Sequence, residues 1–297
     1  MSGADDSGTG TDGGTGTDGV TGTDGVTALD AADLPIRRPP GDGWLVLIGG
    51  GEFSFGETLE ADVAWIDRAQ ALPDALPNLP LDSEPGAAAG GEEEPRHVGF
   101  IPAASGSVDY GHHFSEYMEG ELGQVVEVIP IYRSRDARRG RNLERIAASS
   151  AVYLGGGVAD HLLEALEGQP ANEALLDYLR GGGTVVAIAA AAQALGASVR
   201  SIQVGEHVPG LSWLLGGVIE PNFNPGHDRR FRELMAQPGV TWGLGLPSGS
   251  AVLLGPEGEV EVVGQVYLAR ASEGASELEL HPLGDSGDAE DGAEDDA

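Results

Sequence analysis

The stretch Gly181–Gly196, GGGTVVAIAAAAQALG, constrains the fold more than any other part of the sequence. A Gly-rich turn leads into an apolar run at Thr184–Ala189, and a helix of small residues is predicted over Ala190–Ala197. An unbroken apolar run is typical of a strand buried on both faces. Small residues allow the following helix to pack close to such a strand. The stretch therefore predicts one strand–helix unit of a covered parallel sheet.

Strands and helices are predicted to alternate along the chain as far as Ala197. Each strand is a short apolar run, and most of them end in Gly or Ser. This order predicts an α/β fold with three layers, α/β/α, around a mainly parallel sheet. The other strands are predicted at Trp44–Ile48, His97–Ala103, Val125–Tyr132 and Ala151–Leu154, and the helices at Thr58–Leu72, Asp109–Leu122, Arg138–Ala148, Ala159–Leu166 and Asn172–Arg180.

After Ala197 the pattern changes to short apolar runs separated by turns. Their close spacing predicts an antiparallel C-terminal extension of the sheet within the same domain. The runs are Val208–Leu215, Gly216–Phe223, Val240–Leu246, Ser250–Leu254, Val260–Val263 and Val266–Arg270, and a short basic helix is predicted at His227–Met235.

Composition divides the chain into three parts. Residues 1–40 are predicted to be a disordered acidic tail, because Gly, Thr and Asp bury too little apolar area to offset chain entropy. Residues 41–271 are predicted to be the folded domain, with an exposed Pro-rich break at 72–96, and residues 272–297 a second disordered acidic tail. A calcium-binding β-roll is the alternative for the six-residue repeat at Thr9–Val26, but three copies are too few.

Acidic residues dominate the composition. The chain has 48 acidic and 16 basic residues, all of the latter Arg, and a net charge of −32. This balance is typical of salt-in halophiles such as haloarchaea, because concentrated salt screens the self-repulsion. The alternative is an acidic surface for a cationic partner. Nucleic-acid binding is not expected, since phosphate contacts need clusters of basic residues.

Several kinds of site and segment are excluded by what the sequence lacks. Without cysteine, the chain has no disulfide, thiol nucleophile or thiolate metal site. No apolar run is long enough for a membrane helix, and the N-terminus lacks the basic and apolar regions of a signal peptide. We expect a cytoplasmic protein that uses no cofactor and no metal.

The ends of the predicted strands define a candidate site. In parallel sheets, ligands bind beyond the carboxyl ends of the strands. The turn from strand to helix is also where α/β hydrolytic enzymes hold a nucleophile. Here that turn contains four alanines, 189–192, which neither attack nor accept a proton. The ligand-binding candidates at this edge are Gly50, Gly51, Glu52, Ser105, Gly155, Gly156 and Gly157.

Two further polar groupings have both a structural and a functional interpretation. Ser105 and Ser107 fit hydroxyl groups that bond to the backbone of a turn better than a replacement nucleophile, because no His stands beside them. His112 and Glu116 have the i, i+4 spacing of a metal clamp, but a third ligand is missing. A solvated helix face is therefore favoured.

The most basic short stretch of the predicted domain is HDRRFRELM at His227–Met235. Arg229 and Arg230 could clamp a carboxylate, because guanidinium groups bind carboxylates in a bidentate manner. The alternative is a helix face paired with surrounding acids.

Six segments, in order and spacing, resemble the dipeptidase E/cyanophycinase family of serine peptidases, whose fold is similar to that of class I glutamine amidotransferases. The resemblance spans about residues 44–270. It rests on GGGE at 49–52, IPAAS at 101–105, LGGGVADHLLEAL at 154–166, TVVAIAAAAQALG at 184–196, GVIEPNF at 217–223 and GLGLPSGSAVLL at 243–254.

The resemblance implies that the catalytic residues of the family are replaced in this chain. The family nucleophile corresponds to Ala190, its His to Asn222, and its Asp-Glu pair to Pro247 and Ser248. Acyl transfer of this type needs a hydroxyl nucleophile, a base and an orienting group. We therefore expect an inactive homologue that is structural or binds a small amino-acid-like or dipeptide ligand. The alternatives are an active hydrolase with displaced residues and an interaction scaffold, and a homodimer is compatible with each.

Overall fold

The computed structural model describes residues 25–71, 97–105, 107–271 and 278–284. Over these residues the chain forms one eight-stranded sheet, one four-stranded sheet, a two-stranded hairpin and seven α-helices. The mixed α/β class and the mainly parallel central sheet expected from the sequence are confirmed.

The strands are β1 (Val26–Leu29), β2 (Leu45–Ile48), β3 (Val98–Ile101), β4 (Val126–Val128), β5 (Ala151–Leu154), β6 (Thr184–Ile188), β7 (Ser198–Arg200), β8 (His207–Pro209), β9 (Gly217–Pro221), β10 (Trp242–Leu246), β11 (Ala251–Leu254), β12 (Val260–Val263), β13 (Val266–Arg270) and β14 (Leu280–Leu283). The helices are α1 (Leu59–Ala71), α2 (Val108–Leu122), α3 (Gly140–Ala148), α4 (Ala159–Leu166), α5 (Pro170–Arg180), α6 (Ala190–Ala194) and α7 (Arg229–Met235).

The large sheet has the strand order β1-β12-β11-β2-β6-β5-β3-β4. The five strands from β2 to β4 in this order run parallel, and β11, β12 and β1 add to them antiparallel to their neighbours. At its centre β2 pairs with β6, with Ile48 opposite Ile188. The carboxyl ends of these two strands therefore lie side by side.

Helices cover both faces of this sheet. In β2, the side chains of Leu45 and Leu47 pack with the core on the side of α3 to α6, whereas Val46 packs with Trp65 of α1 and Phe114 of α2 on the other side. All of these side chains are buried. A strand with two buried faces needs apolar residues at every position, which is why its sequence is a continuous apolar run.

The C-terminal part differs from the single antiparallel extension predicted from the sequence. Strands β11 and β12 join the large sheet, whereas β9, β10, β13 and β14 form the separate four-stranded sheet. Within that sheet β9 and β10 are parallel. The reason is their connection: α7 lies between them, and a crossover helix returns the chain to the same end, as in any strand–helix–strand unit.

Parts of both predicted tails are strands. In β1, Val26 pairs with Val263 and Leu29 with Val260, and β14 pairs with β13. The expectation that residues 1–40 and 272–297 lack structure therefore does not hold for these two short apolar segments. Each segment pairs with the outer edge of a neighbouring strand and supplies hydrogen-bond partners to backbone groups that would otherwise be unpaired there. The predicted break at 72–96 lies outside the described residues, as do most other tail positions.

Across the described ranges, none of the helices has the length and apolarity needed to cross a membrane.

Asp62 is a carboxyl group buried between α1 and α2. Its two oxygens accept hydrogen bonds from the indole N–H of Trp65 at 2.8 Å and from the hydroxyl of Tyr117 at 2.9 Å. Burial raises the pKa of Asp62 to about 6, because the ionised carboxylate loses its hydration, and the hydrogen bonds offset only part of this. The pair Asp62–Tyr117 thus links the two helices through a group that titrates near neutral pH.

We expect Asp62→Asn to change how stability depends on pH. The folded-state pKa of about 6 lies above the ordinary value of 3.8. The stabilisation that accompanies this raised pKa is therefore complete below about pH 4 and is lost as the pH rises through about 6. Since Asn stays neutral, the variant should gain up to about 3 kcal/mol relative to the wild type between pH 4 and pH 8.

Urea unfolding in molar salt at several pH values measures this difference. Asp67→Asn, a change on the same helix away from Trp65 and Tyr117, is the control. An equal trend in both variants would contradict the assignment to Asp62.

Candidate functional site

A cleft of about 530 Å³ opens at the carboxyl ends of the parallel strands. The loops after β2, β3, β5 and β6 form one side, and the residues that follow β9 and β10 of the second sheet form the other. Its lining residues are Gly50, Gly51, Glu52, Glu57, Ser105, Tyr110, Gly156, Gly157, Ile188, Ala189, Asn222 and Ser248.

The turn from β6 to α6 is centred on Ala189. This residue has φ 53° and ψ −116°, a conformation that L-residues rarely adopt. Its N–H donates to the carbonyl of Ile48 at 2.9 Å, and its carbonyl accepts from the N–H of Gln193 at 3.0 Å. The sequence placed this corner at Ala190, but Ala190 is the first residue of the helix. The corner lies one residue earlier because the strand ends at Ile188.

The methyl group of Ala189 lies in the cleft beside Gly156. A Cβ built at Gly156 would lie 3.5 Å from the Cβ of Ala189, which is an ordinary contact distance. The corner therefore presents a methyl group where a reacting side chain would stand in a hydrolytic enzyme. A methyl group can limit the size of a ligand but cannot attack it.

Asn222 and Ser248 meet on the opposite wall of the cleft. The hydroxyl of Ser248 donates to Oδ1 of Asn222 at 2.8 Å. Asn222 has a left-handed backbone, φ 49°, and its N–H donates to the carbonyl of Gly49 at 2.8 Å. The pair has the geometry of a base held by an orienting group, but both members are neutral and neither is a base.

Asn222 leaves no room for a side chain at residue 50, which is glycine. Its φ is 135°, which only glycine adopts without strain. A Cβ at this position would also lie 2.3 Å from Oδ1 of Asn222. The loop after β2 therefore touches the second sheet directly.

Ser105 lines the cleft, but turn hydrogen bonds occupy its hydroxyl. The hydroxyl donates to the carbonyl of Pro102 at 3.0 Å and accepts from the N–H of Ser107 at 3.2 Å. These are the hydrogen bonds expected if the hydroxyl of Ser105 stabilises the turn before α2, which is the structural interpretation given above. Its proton is committed to a carbonyl oxygen rather than to a base.

Two carboxylates give the cleft a negative end. Oε2 of Glu57 accepts from the N–H of Glu52 at 2.8 Å. Burial raises the pKa of Tyr110 to about 12, and the charge of Glu52 adds to the effect, so its hydroxyl stays protonated. Since none of the described residues that line the cleft is Arg or Lys, its charged groups favour a cationic rather than an anionic ligand group.

The three glycines after β5 have different roles. A Cβ at Gly155 would lie 2.6 Å from the ring of Phe100, and one at Gly157 would lie 2.4 Å from the carbonyl oxygen of Ala104. Gly155 is thus required by packing and does not line the cleft, whereas Gly156 has room for a side chain. Only Gly156 and Gly157 line the site.

The remaining sequence candidates lie elsewhere. Arg229 pairs with Glu233 at 2.9 Å on the exposed face of α7, and Arg230 is exposed on the same helix. Neither is among the residues that line the cleft. Pro247 also does not line it; its carbonyl accepts from the hydroxyl of Ser250 at 2.9 Å.

The metal interpretation of α2 gains no support from the structure. His112 and Glu116 lie 3.4 Å apart on an exposed face. In the part of the chain that the structure describes, no three His, Asp or Glu side chains are grouped as metal ligands. The pair is an ordinary surface contact of the i, i+4 type.

Three lining residues are absent from the sequence-based candidates: Glu57, Tyr110 and Ile188. Glu57 and Tyr110 lie at the starts of the helices that follow β2 and β3. The rule that sites gather at the carboxyl ends of strands applies equally to the first turn of each following helix, and it would have found both.

The sequence model of peptidase family S51 matches residues 88–261, which is more than half of the chain. Two solved structures resemble the fold at 16% sequence identity. A peptidase from an acI-B1 actinobacterium has a TM-score of 0.60 over 83% of this chain and 96% of its own. A putative Peptidase E protein from Listeria monocytogenes EGD-e has a TM-score of 0.50 over 78% and 100%. No curated protein matches the chain.

We expect Ala189→Gly to be at least about 1 kcal/mol more stable than Ala190→Gly. Glycine relieves the positive φ of residue 189, which costs an L-residue about 1–3 kcal/mol. At residue 190 the same change removes a good helix former and costs about 1 kcal/mol. Both side chains are half-buried, so the two variants lose similar contacts.

Urea unfolding of the two variants and the wild type measures the difference. If Ala189→Gly is the less stable of the two, residue 189 does not store strain.

Proposed function

The chain belongs to peptidase family S51, and from this membership and the geometry of the cleft we propose that it is a homologue without hydrolytic activity that binds a small amino-acid-like or dipeptide ligand. The observation that carries the proposal is a strained corner that presents a methyl group inside an open cleft. The frame for a nucleophile is present, while the nucleophile is not.

Three positions of the cleft lack the groups that hydrolysis requires. Acyl transfer by a serine peptidase needs a hydroxyl nucleophile, a base within about 3 Å and a group that orients the base. The residue at the corner is Ala189, one position before the Ala190 assigned from the sequence. The residues that correspond to the base and its orienting group are Asn222 and Ser248, which bond to each other as neutral groups.

The main alternative, a hydrolase with displaced residues, would need Ser105 or Ser248 as its nucleophile, since both hydroxyl groups line the cleft, and that of Ser248 donates to the neutral Asn222. The hydroxyl of Ser105 donates to a backbone carbonyl, and no His is among the described residues that line the cleft. Loss of a serine nucleophile alone lowers turnover by about 10⁶-fold in a well-studied peptidase. The bonds of the Ser105 hydroxyl to described residues, to the carbonyl of Pro102 and from the N–H of Ser107, do not activate it as a nucleophile.

The volume and chemistry of the cleft support the binding of a small ligand. A site that had lost its ligand along with its chemistry could be filled by larger side chains, which would leave only the scaffold interpretation. Instead the space of about 530 Å³ is open. Glu52 and Glu57 suit the ammonium group of an amino acid. Its carboxylate would lie against the glycine loops that line the cleft, because backbone N–H groups bind anions.

We expect no covalent labelling of the wild type by a serine-directed fluorophosphonate probe in molar salt. The double change Ala189→Ser and Asn222→His should restore labelling, because it returns a hydroxyl to the strained corner and a base to the opposite wall. The control is Ala190→Ser with Asn222→His, which places the hydroxyl on the first residue of the helix and should stay unlabelled. Labelling of the wild type would overturn the inactive assignment.

We expect amino acids or dipeptides that contain Asp or Arg to raise the melting temperature in molar salt. A ligand at 100 times its dissociation constant adds about 2.7 kcal/mol, which for a chain of this size corresponds to about 5–10 °C. Gly156→Val should fold, since its Cβ meets nothing closer than 3.5 Å, but should abolish the shift by filling the cleft beside Ala189.

Gly120→Ala, on an open face of α2, is the matched control and should keep the shift. If no such compound shifts the wild type, this class of ligand is ruled out.

A further inference from the structure

A second, larger cleft adjoins the first one. Its volume is about 790 Å³, and it lies between the loop after β2 and the exposed side of α2. Glu52 and Tyr110 line both clefts, but the second one does not reach the corner at Ala189. We call it the aromatic cleft, defined by Phe53, Phe55, Tyr110 and Tyr117.

Aromatic side chains are concentrated here beyond what composition explains. The chain has only 16 of them, 4 Trp, 6 Tyr and 6 Phe, yet four line this one cleft. Phe53 packs against Tyr110 and Tyr117, with ring centroids 5.7 Å and 5.3 Å apart. These contacts hold the rings of Phe53, Tyr110 and Tyr117 in fixed positions at the base of the cleft.

Phe55 stands at the mouth of the cleft with 83% of its surface exposed. It lies in a short 3-10 turn that a left-handed glycine, Gly56, closes with φ 74°. An aromatic ring held in water costs free energy unless something covers it. Its position beside the opening suits contact with a bound molecule.

The carboxylates of the aromatic cleft give it a negative charge. Glu52, Glu116 and Glu121 line it together with His113, and none of the described residues in its lining is Arg or Lys. Acidic residues are common on this chain, so their presence alone identifies no ligand. Their combination with aromatic rings is selective, because ring faces and carboxylates both attract cations and both disfavour anions.

We propose that the aromatic cleft binds an organic cation, an ammonium group that carries methyl or methylene carbons. A metal ion would have to give up tightly held water to reach the rings, and its ligands are not grouped here. An alkylated ammonium is weakly hydrated, fills apolar volume and gains from ring faces and carboxylates together. The proposal extends the function given above to a separate site.

The test is calorimetric titration of the full chain with tetramethylammonium in molar NaCl. Saturable binding is expected, and tert-butanol, a neutral molecule of similar shape, should bind more weakly. Equal binding of the two would show that the cleft selects apolar volume rather than charge. Absence of saturable binding of tetramethylammonium would overturn the proposal.

Variants separate the contributions of the rings and the carboxylates. Phe55→Leu keeps an apolar side chain but removes the ring, and it should weaken binding about two- to fivefold, the size of an exposed cation–π contact. Glu116→Gln should also weaken binding. Glu119→Gln removes a charge from the same helix outside the cleft and should leave binding unchanged.

Two further comparisons complete the test. Guanidinium should bind less tightly than tetramethylammonium; tighter binding would mean that hydrogen bonds to carboxylates select the ligand, which overturns the assignment to an alkylated ammonium. Gly156→Val adds a side chain to the first cleft and not to the aromatic cleft, so it should leave tetramethylammonium binding intact. Failure here is therefore distinguishable from failure of the function proposed for the first cleft.

Discussion

The backbone of Ala189 is the constraint on which the site depends. Its N–H is held by the carbonyl of Ile48 in the adjacent strand, and its carbonyl is held by the amide of Gln193 one helical turn on. These bonds impose a conformation that costs about 1–3 kcal/mol, a real fraction of the 5–15 kcal/mol that stabilises a typical domain. The pairing of β2 with β6 must therefore offset that cost. The direction of α6 and the position of the cleft both follow from the conformation of residue 189.

The two sheets meet at this constraint. Asn222 of the second sheet bonds to Gly49 and occupies the space that a side chain at Gly50 would need. The wall that carries Asn222 and Ser248 is thereby held at a fixed distance from the corner. In a serine hydrolase such rigidity positions a base against its nucleophile; here it keeps a cleft open between two neutral walls, with carboxylates at one end.

The sequence predicts the order of strands and helices around the cleft because each buried strand needs an apolar run of its own. Gly50, Gly51, Glu52, Ser105, Gly156 and Gly157, which it predicts at one edge, line the same cleft as Asn222 and Ser248, which were identified by the family resemblance. It could not place the corner within a run of identical alanines, since the end of β6 is set by the pairing of Ile188 with Ile48, a contact between distant segments. Arg229 and Arg230 lie outside the cleft on the exposed face of α7, and the sequence could not place them because their position depends on how the second sheet packs. The strand β1 was missed because composition describes a segment alone, whereas the edge of β12 gives it a partner.

The retained corner also has an evolutionary consequence. Alanine and serine codons differ by a single base, as do those of asparagine and histidine. A chain that still bears the strain at residue 189 is therefore two point mutations away from a hydroxyl on the corner and an imidazole facing it. A homologue that had relaxed the turn would have to rebuild the backbone first. The strained alanine thus leaves a backbone suited to a nucleophile within two base changes of one.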